Sequence, residues 1–248
     1  LTFFQNINSS HYSRKYNQDG IDSTFLRTNL SKESLIDYEA KMNLNTSNFN
    51  LIGGFEYSEP GYNNMRLRDT THSRILRGVF LQNQYKISNK ANLVIGLRSD
   101  IYNKEIVNNP RLALMYNLNK QTKYRLSYGE GFRVPSILET FIDFHNIDQG
   151  YMVKGNPNLE PEKSKGFTIN LEYSNGNTFR LNGLAYQNFF TNKILTVQNS
   201  NSTDNPITFS YQNISKATVK GFEIFADFIL DNTSTIRLNL NLRENYDE

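Results

Sequence analysis

The chain has 248 residues, no cysteine, and 27 basic against 24 acidic side chains, a formal net charge of +3. Both signs are mixed along its length, so no nucleic-acid surface stands out, and disulfides, thiolate metal sites and cysteine nucleophiles are excluded. Aromatic residues make up 13% of the total, whereas a disordered chain would be poor in them.

No apolar run reaches eighteen residues, so no transmembrane helix is predicted. Membrane-spanning strands are untouched by that, because their signature is only about ten residues of alternating hydrophobicity. The opening LTFFQNINSS lacks the basic-then-apolar pattern of a signal peptide. A removed leader, or an internal piece of a longer protein, is the expectation.

Taken in chain order, the sequence reads almost entirely with a period of two. RILRGVFLQNQYKI (74–87) and ANLVIGLRSDIY (91–102) alternate apolar and polar. In NPRLALMYNL, Leu112, Leu114, Tyr116 and Leu118 share a face. In KYRLSY, Tyr124, Leu126 and Tyr128 oppose Lys123, Arg125 and Ser127. In GFTINLEY, Phe167, Ile169, Leu171 and Tyr173 oppose Thr168, Asn170 and Glu172. Thr208–Leu230 reads as one long strand. In TIRLNLNLREN, Ile236, Leu238, Leu240 and Leu242 oppose Arg237, Asn239, Asn241 and Arg243. His11 falls in a strand and reads as structural. No helical periodicity emerges.

Short polar turns are predicted at Asn45–Asn48, Ser88–Lys90, Asn119–Gln121, Asn175–Asn177 and Asp231–Ser234. Longer connections are predicted at Lys15–Lys32, Glu59–Ser73, Asn103–Asn108, Gly131–Lys163 and Thr191–Pro206. Short and long alternate, so an up-and-down meander puts all turns on one rim and all loops on the other. Outer-membrane barrels have that asymmetry.

Alternation alone does not separate a membrane barrel from a soluble one. Two features favour the membrane. The polar face is rich in Arg, Asp, Asn, Gln and Glu, which suits a wet lumen. Tyr85, Tyr116, Tyr124, Tyr173, Phe179 and Phe228 sit on the apolar face near the short turns, as an interfacial aromatic girdle would. The plain alternative for these six is that Tyr and Phe favour strands. The fold class predicted is all-β: an antiparallel up-and-down transmembrane β-barrel, of which about eleven strands are present. In isolation that array would leave two bare edges, so residues 1–248 are read as a section of a larger closed barrel.

Four motifs then point to a family. Gly131-Phe132-Arg133-Val134-Pro135-Ser136 with Glu139 is followed by Gly155-Asn156-Pro157-Asn158-Leu159-Glu160-Pro161-Glu162-Lys163-Ser164. These resemble the paired signature boxes of TonB-dependent outer-membrane receptors, with Val134 where the first box usually has Ala. Tyr211-Gln212-Asn213, Ala217 and Gly221-Phe222-Glu223 resemble a later-strand pattern of the family. Phe80-Leu81-Gln82 and Gly96-Leu97-Arg98-Ser99-Asp100 are similar to its middle strands. The resemblance implies a barrel of about 22 strands closed by an N-terminal plug. Plug, energy-coupling segment and terminal strands would then lie outside this chain.

The boxes also have a physical reading of their own. Pro135 and Pro157 end ladder pairing because proline has no N–H to donate. Leu159-Glu160-Pro161-Glu162 presets an extended approach to the next strand. Arg133 and Glu139 can pair inside the rim. All of this can be architecture alone.

Candidate cargo contacts fall in the loops. His145 lies between the boxes, where haem receptors of the family place a ligand histidine; it is the one candidate haem-iron ligand, and an unligated surface histidine is the alternative. Tyr151 and Met152 nearby are also haem-ligating residue types. His72 is a second contact candidate on the same rim. Arg66 and Arg68 can meet propionates or siderophore oxygens. Tyr62, Phe141 and Phe144 can stack on a planar ligand or pack under their own loop. Gly129-Glu130-Gly131 is no nucleotide loop, because no helix follows it. With three histidines and no cysteine, no catalytic set or zinc constellation forms, so the chain is not read as an enzyme.

The expected function is energised uptake across the outer membrane of a Gram-negative bacterium. No intrinsic cofactor is expected. Cargo is an iron complex, haem ahead of a ferric siderophore, with cobalamin as the rival. Expected partners are outer-membrane lipid, a TonB-type energy-transducing protein, and the small-molecule metal complex, with no nucleic acid. Two readings of other classes are a plug-less porin or adhesin barrel and a soluble all-β module. The last would place Leu112, Leu114, Leu238 and Leu240 in an enclosed core.

Overall fold

The computed structural model describes residues 2–16, 29–176, 178–199, 206–231 and 233–247; the side chains of residues 2–16, 29–31, 215 and 247 lie outside that description. The first strands are β1 (Thr2–Tyr16), β2 (Asn29–Asn45), β3 (Phe49–Asn64), β4 (Thr71–Ser73), β5 (Leu76–Lys86), β6 (Ala91–Tyr102), β7 (Glu105–Asn117) and β8 (Thr122–Arg133). A short helix α1 (Ile137–Phe141) and a small hairpin, β9 (Asp143–Asn146) with β10 (Tyr151–Lys154), follow. The chain continues as β11 (Glu162–Ser174), β12 (Phe179–Gln198), β13 (Ile207–Ile229) and β14 (Thr235–Asp247).

The long strands pair antiparallel, each with the next, in the order β1-β2-β3-β5-β6-β7-β8-β11-β12-β13-β14. That is the expected meander of eleven, and the three extra strands are all short rim pieces. All five predicted tight turns fall between consecutive long strands. Small polar side chains shape them by accepting backbone N–H bonds. Asn119 Oδ1 takes those of Gln121 and Thr122 at 2.9 and 2.8 Å, and Asp231 Oδ1 those of Thr233 and Ser234 at 2.7 and 2.8 Å.

The long-loop rim departs from expectation. Asn103–Asn108 is not a loop: Asn103 and Lys104 alone join β6 to β7, at φ 48° and 68°. Positive φ at both central residues is the type I′ signature, which matches the strand twist. β12 and β13 extend to Gln198 and from Ile207, shortening the predicted Thr191–Pro206 loop. β3 runs on to Asn64, and β4 folds back on it, so Glu59–Ser73 is largely paired. Part of Lys15–Lys32 lies outside the described residues. His11 is in β1, opposite Ser34. The segment between β8 and β11 carries a helix that periodicity missed, because one turn has no period to show.

The apolar face points outward and is uncovered. Leu112, Leu238 and Leu240 are 47%, 56% and 48% exposed, so no enclosed core holds them. Among the described residues, most buried apolar side chains lie near the long-loop rim and in the insert, Leu67, Tyr102, Pro135, Ile137 and Leu159 among them. Aromatics predicted near the short turns are neighbours across the strands. Tyr116 faces Tyr124, Phe179 faces Phe228, and the Tyr173 and Phe179 rings lie 6.1 Å apart.

Candidate functional site

Residues 134–161 form an insert braced to the rim on both flanks. At its start, Arg133 holds two carboxylates at once. It donates to Glu139 at 2.9 and 3.1 Å and to Glu162 at 2.8 and 2.8 Å. The expected Arg133–Glu139 pair is therefore one half of a fork that ties α1 to the head of β11. Ser136 and Glu139 cap α1 reciprocally: Glu139 N–H donates to Ser136 Oγ at 3.1 Å, and Ser136 N–H to Glu139 Oε2 at 2.6 Å. This S-x-x-E capping box was legible in the sequence and marks the helix start. On the other side Arg74 donates to Thr140 Oγ1 at 3.1 Å.

Glu139 feels opposing forces. Burial pushes its carboxyl up, but Arg133 and the Ser136 donors outweigh that and hold it below the ordinary carboxylate value. A depressed carboxyl contributes stability above its unfolded pKa and loses it as pH falls through the folded one. Hydrogen-exchange protection of α1 is therefore expected to persist as pH drops to the usual value of 4.5, and to collapse only below it. Collapse well above that value would sink the assignment.

At the far end, the second box is clamped to β12 and β13. Asn213 Oδ1 accepts from Glu160 N–H at 2.9 Å, and its Nδ2 donates to the carbonyls of Glu160 and Asn192 at 3.0 and 2.7 Å. Asn156 Nδ2 donates to the Tyr211 carbonyl at 3.0 Å, and Asn192 Nδ2 to Glu160 Oε2 at 2.8 Å. Asn192 takes a positive φ of 56° inside β12, which is costly for a non-glycine and is held by this network. Gly155 is needed for room: a Cβ there would sit 2.6 Å from the backbone of Thr140 and Phe141. The second signature box and the Tyr-x-Asn motif, 53 residues apart at Glu160 and Asn213, are thus one structure.

The candidate cargo residues split between faces. In the β9–β10 hairpin, His145 lies opposite Met152, and Phe144 opposite Val153. His145 is exposed and shares its face with Met152. Phe144 and Tyr151 turn the other way: their ring centres are 6.2 Å apart, Arg66 lies 4.3 Å above Phe144, and Tyr151 meets Phe209. His72, on β4, stacks on Phe141 at 3.7 Å, and its Nε2 bonds the Arg68 carbonyl. Arg68 N–H donates to the Phe141 carbonyl at 2.9 Å. Arg66, Arg68, His72, Phe141, Phe144 and Tyr151 therefore knit the β3–β4 loop to the insert. The hairpin joins the main sheet through β10, which pairs parallel with β13 from Tyr151 opposite Ile207.

One polar cluster on the inner face escaped the sequence reading. Arg98 donates to Asp100 at 2.7–2.9 Å and to Glu56 at 2.6 Å, and Asp100 is 3% exposed. The signal was there in the i, i+2 spacing of Arg98 and Asp100, which puts both on one face. A recess of about 390 Å³ runs from this cluster to Arg133.

A family model described as TonB dependent receptor-like, beta-barrel, matches residues 1–247. The chain belongs to the TonB-dependent receptor β-barrel family. This places it in the outer membrane of Gram-negative cells. It is 27% identical over 192 residues to the iron-regulated outer membrane virulence protein of Vibrio cholerae, covering 72% of this chain and 29% of that protein. It is 32% identical over 127 residues to the vitamin B12 transporter BtuB of Photobacterium profundum, covering 51% and 19%. It is 27% identical over 136 residues to the heme/hemopexin utilization protein C of Haemophilus influenzae, covering 48% and 19%. The siderophore receptor PirA of Pseudomonas aeruginosa superposes with a TM-score of 0.84 at 16% identity, covering 98% of this chain and 47% of that one. At that identity the likeness is one of fold. The TonB-dependent barrel section described here spans less than half the length of each of these proteins.

Proposed function

We propose that this barrel section carries the extracellular recognition rim of a receptor for energised uptake of an iron complex, with haem ahead of a ferric siderophore. The observation that carries the choice of haem is the exposed His145 opposite Met152 on one face of the β9–β10 hairpin. Imidazole and thioether are both haem-iron ligands. The arginine contacts at α1 and the asparagine clamp at the second box brace the insert on both sides of the hairpin, and His145 is exposed between them. An iron-regulated relative and a haem-utilisation relative support the same reading. The transport step itself would need the plug and a TonB-type partner in the intact receptor.

The test is haem titration of the intact receptor. His145→Ala is expected to weaken haem binding at least tenfold and to perturb the Soret band, with Met152→Leu causing a smaller loss. Unchanged haem affinity and haem-dependent growth in His145→Ala would reject haem ligation at this residue. The match to a vitamin B12 transporter keeps cobalamin as the second reading, and saturable cobalamin binding that is indifferent to His145 would favour it.

A further inference from the structure

The outward face changes character near the insert rim. Down β11 it reads Lys163, Lys165, Phe167, Ile169, Leu171, Tyr173: two cations, then the apolar band. Down β13 it reads Lys216, Thr218, Lys220, Phe222, Ile224. The registers put Lys163, Thr191 and Lys216 in one cross-strand row, and Lys165, Phe189 and Thr218 in the next. With strands about 4.8 Å apart and rising about 3.3 Å per residue, the four lysines cover a patch roughly 10 by 13 Å.

All four are exposed. Glu130 pairs with Lys165 at 3.3 Å and Glu244 with Lys220 at 3.2 Å. Lys163 and Lys216 have no acidic partner among the described residues. Four cations against two carboxylates leave two positive charges unmatched. The clustering is local: the row at the same rim on β3 to β7 is Tyr57, Arg77, Ile101 and Ile106, with one cation in four.

A lone lysine at a membrane interface is ordinary, since its stem lies on apolar surface and its ammonium reaches water. Four on two strands separated only by β12 repel one another unless an anion sits among them. Lysine binds phosphate as a point charge. Directly below, the Phe167 and Phe189 rings meet edge-on at 6.5 Å and offer acyl chains an aromatic floor. A soluble anion would have no use for that floor, and the patch is continuous with the lipid-facing band.

We propose that the outward lysine patch of β11–β13 binds the phosphorylated headgroup of a lipid in the surrounding outer leaflet. The site needs the membrane setting but not the cargo assignment. The experiment uses the intact receptor in phosphatidylcholine nanodiscs doped with a diphosphorylated acyl-glucosamine lipid, or with the same lipid dephosphorylated. Native mass spectrometry reads the lipid retained. The phosphorylated form is expected to be retained at least tenfold over the dephosphorylated one. Replacing the four lysines with glutamine should abolish that preference, replacing them with arginine should keep it, and cargo binding should stay unchanged in both. Equal retention of the two lipids by the unaltered receptor overturns the proposal, whatever the variants do. So does an undiminished preference in the glutamine variant. Displacement of the lipid by millimolar inorganic phosphate would reassign the patch to a soluble anion.

Discussion

Ile169→Arg is expected to destabilise the inserted barrel by about 2–4 kcal/mol, the cost of a cation at the bilayer midplane on a barrel's lipid face. Ile169 is 57% exposed and lies midway down the outward face of β11, between Phe167 and Tyr173. In β12 and β8 its partners are Ala185 and Leu126, so no polar group is at hand to receive the new charge. The loss should appear as a lower urea midpoint in lipid vesicles and a smaller heat-modifiable fraction on gels. Thr168→Arg, one residue away on the inner face, should cost less, because the penalty for a cation in hydrocarbon belongs to the lipid face. Equal penalties at the two positions would mean that the outward face is not lipid-facing.

Asn213→Ala is expected to release the second signature box while leaving the barrel assembled. The side chain makes three hydrogen bonds, to the Glu160 N–H and to the carbonyls of Glu160 and Asn192. Neutral bonds contribute about 0.5–1.5 kcal/mol each, and partners left dry cost more. A loss of about 2–3 kcal/mol follows, read as roughly 30- to 150-fold faster amide exchange over residues 155–162. The control is Asn158→Ala, since Asn158 is exposed and takes part through its backbone N–H. Unchanged exchange in Asn213→Ala would show that the clamp bears no load.

The barrel strands were legible in sequence because each has one apolar face, and a period of two is a strong signal over ten or more residues. Leu112, Leu238 and Leu240 alternate cleanly, and the turns at Asn119 and Asp231 announce themselves through their own side chains. The rim was harder. The Asn103-Lys104 turn lacks the glycine that usually marks type I′ geometry, so it read as a loop. The α1 helix is shorter than two helical turns, and only its Ser136/Glu139 capping pair betrays it. The clamp was invisible as a contact because Asn213 and Glu160 are far apart in sequence. Each sat in a recognisable motif, but nothing in either says that the two touch. The sorting of His145 from Phe144 depends on the hairpin register, which a four-residue strand does not fix by pattern alone.

The clamp also makes the rim dependent on the order of assembly. Asn213 reaches Glu160 only when β12 and β13 are zipped in their native alignment as far as Asn192, whose carbonyl completes the site. A slip of one residue reverses every side chain on a strand and would turn Asn213 away from its partners. The clamp half of the insert's bracing therefore depends on the β12–β13 register, whereas the Arg133 and Arg74 contacts do not. A wall zipped out of register would leave the second signature box without its side-chain partners.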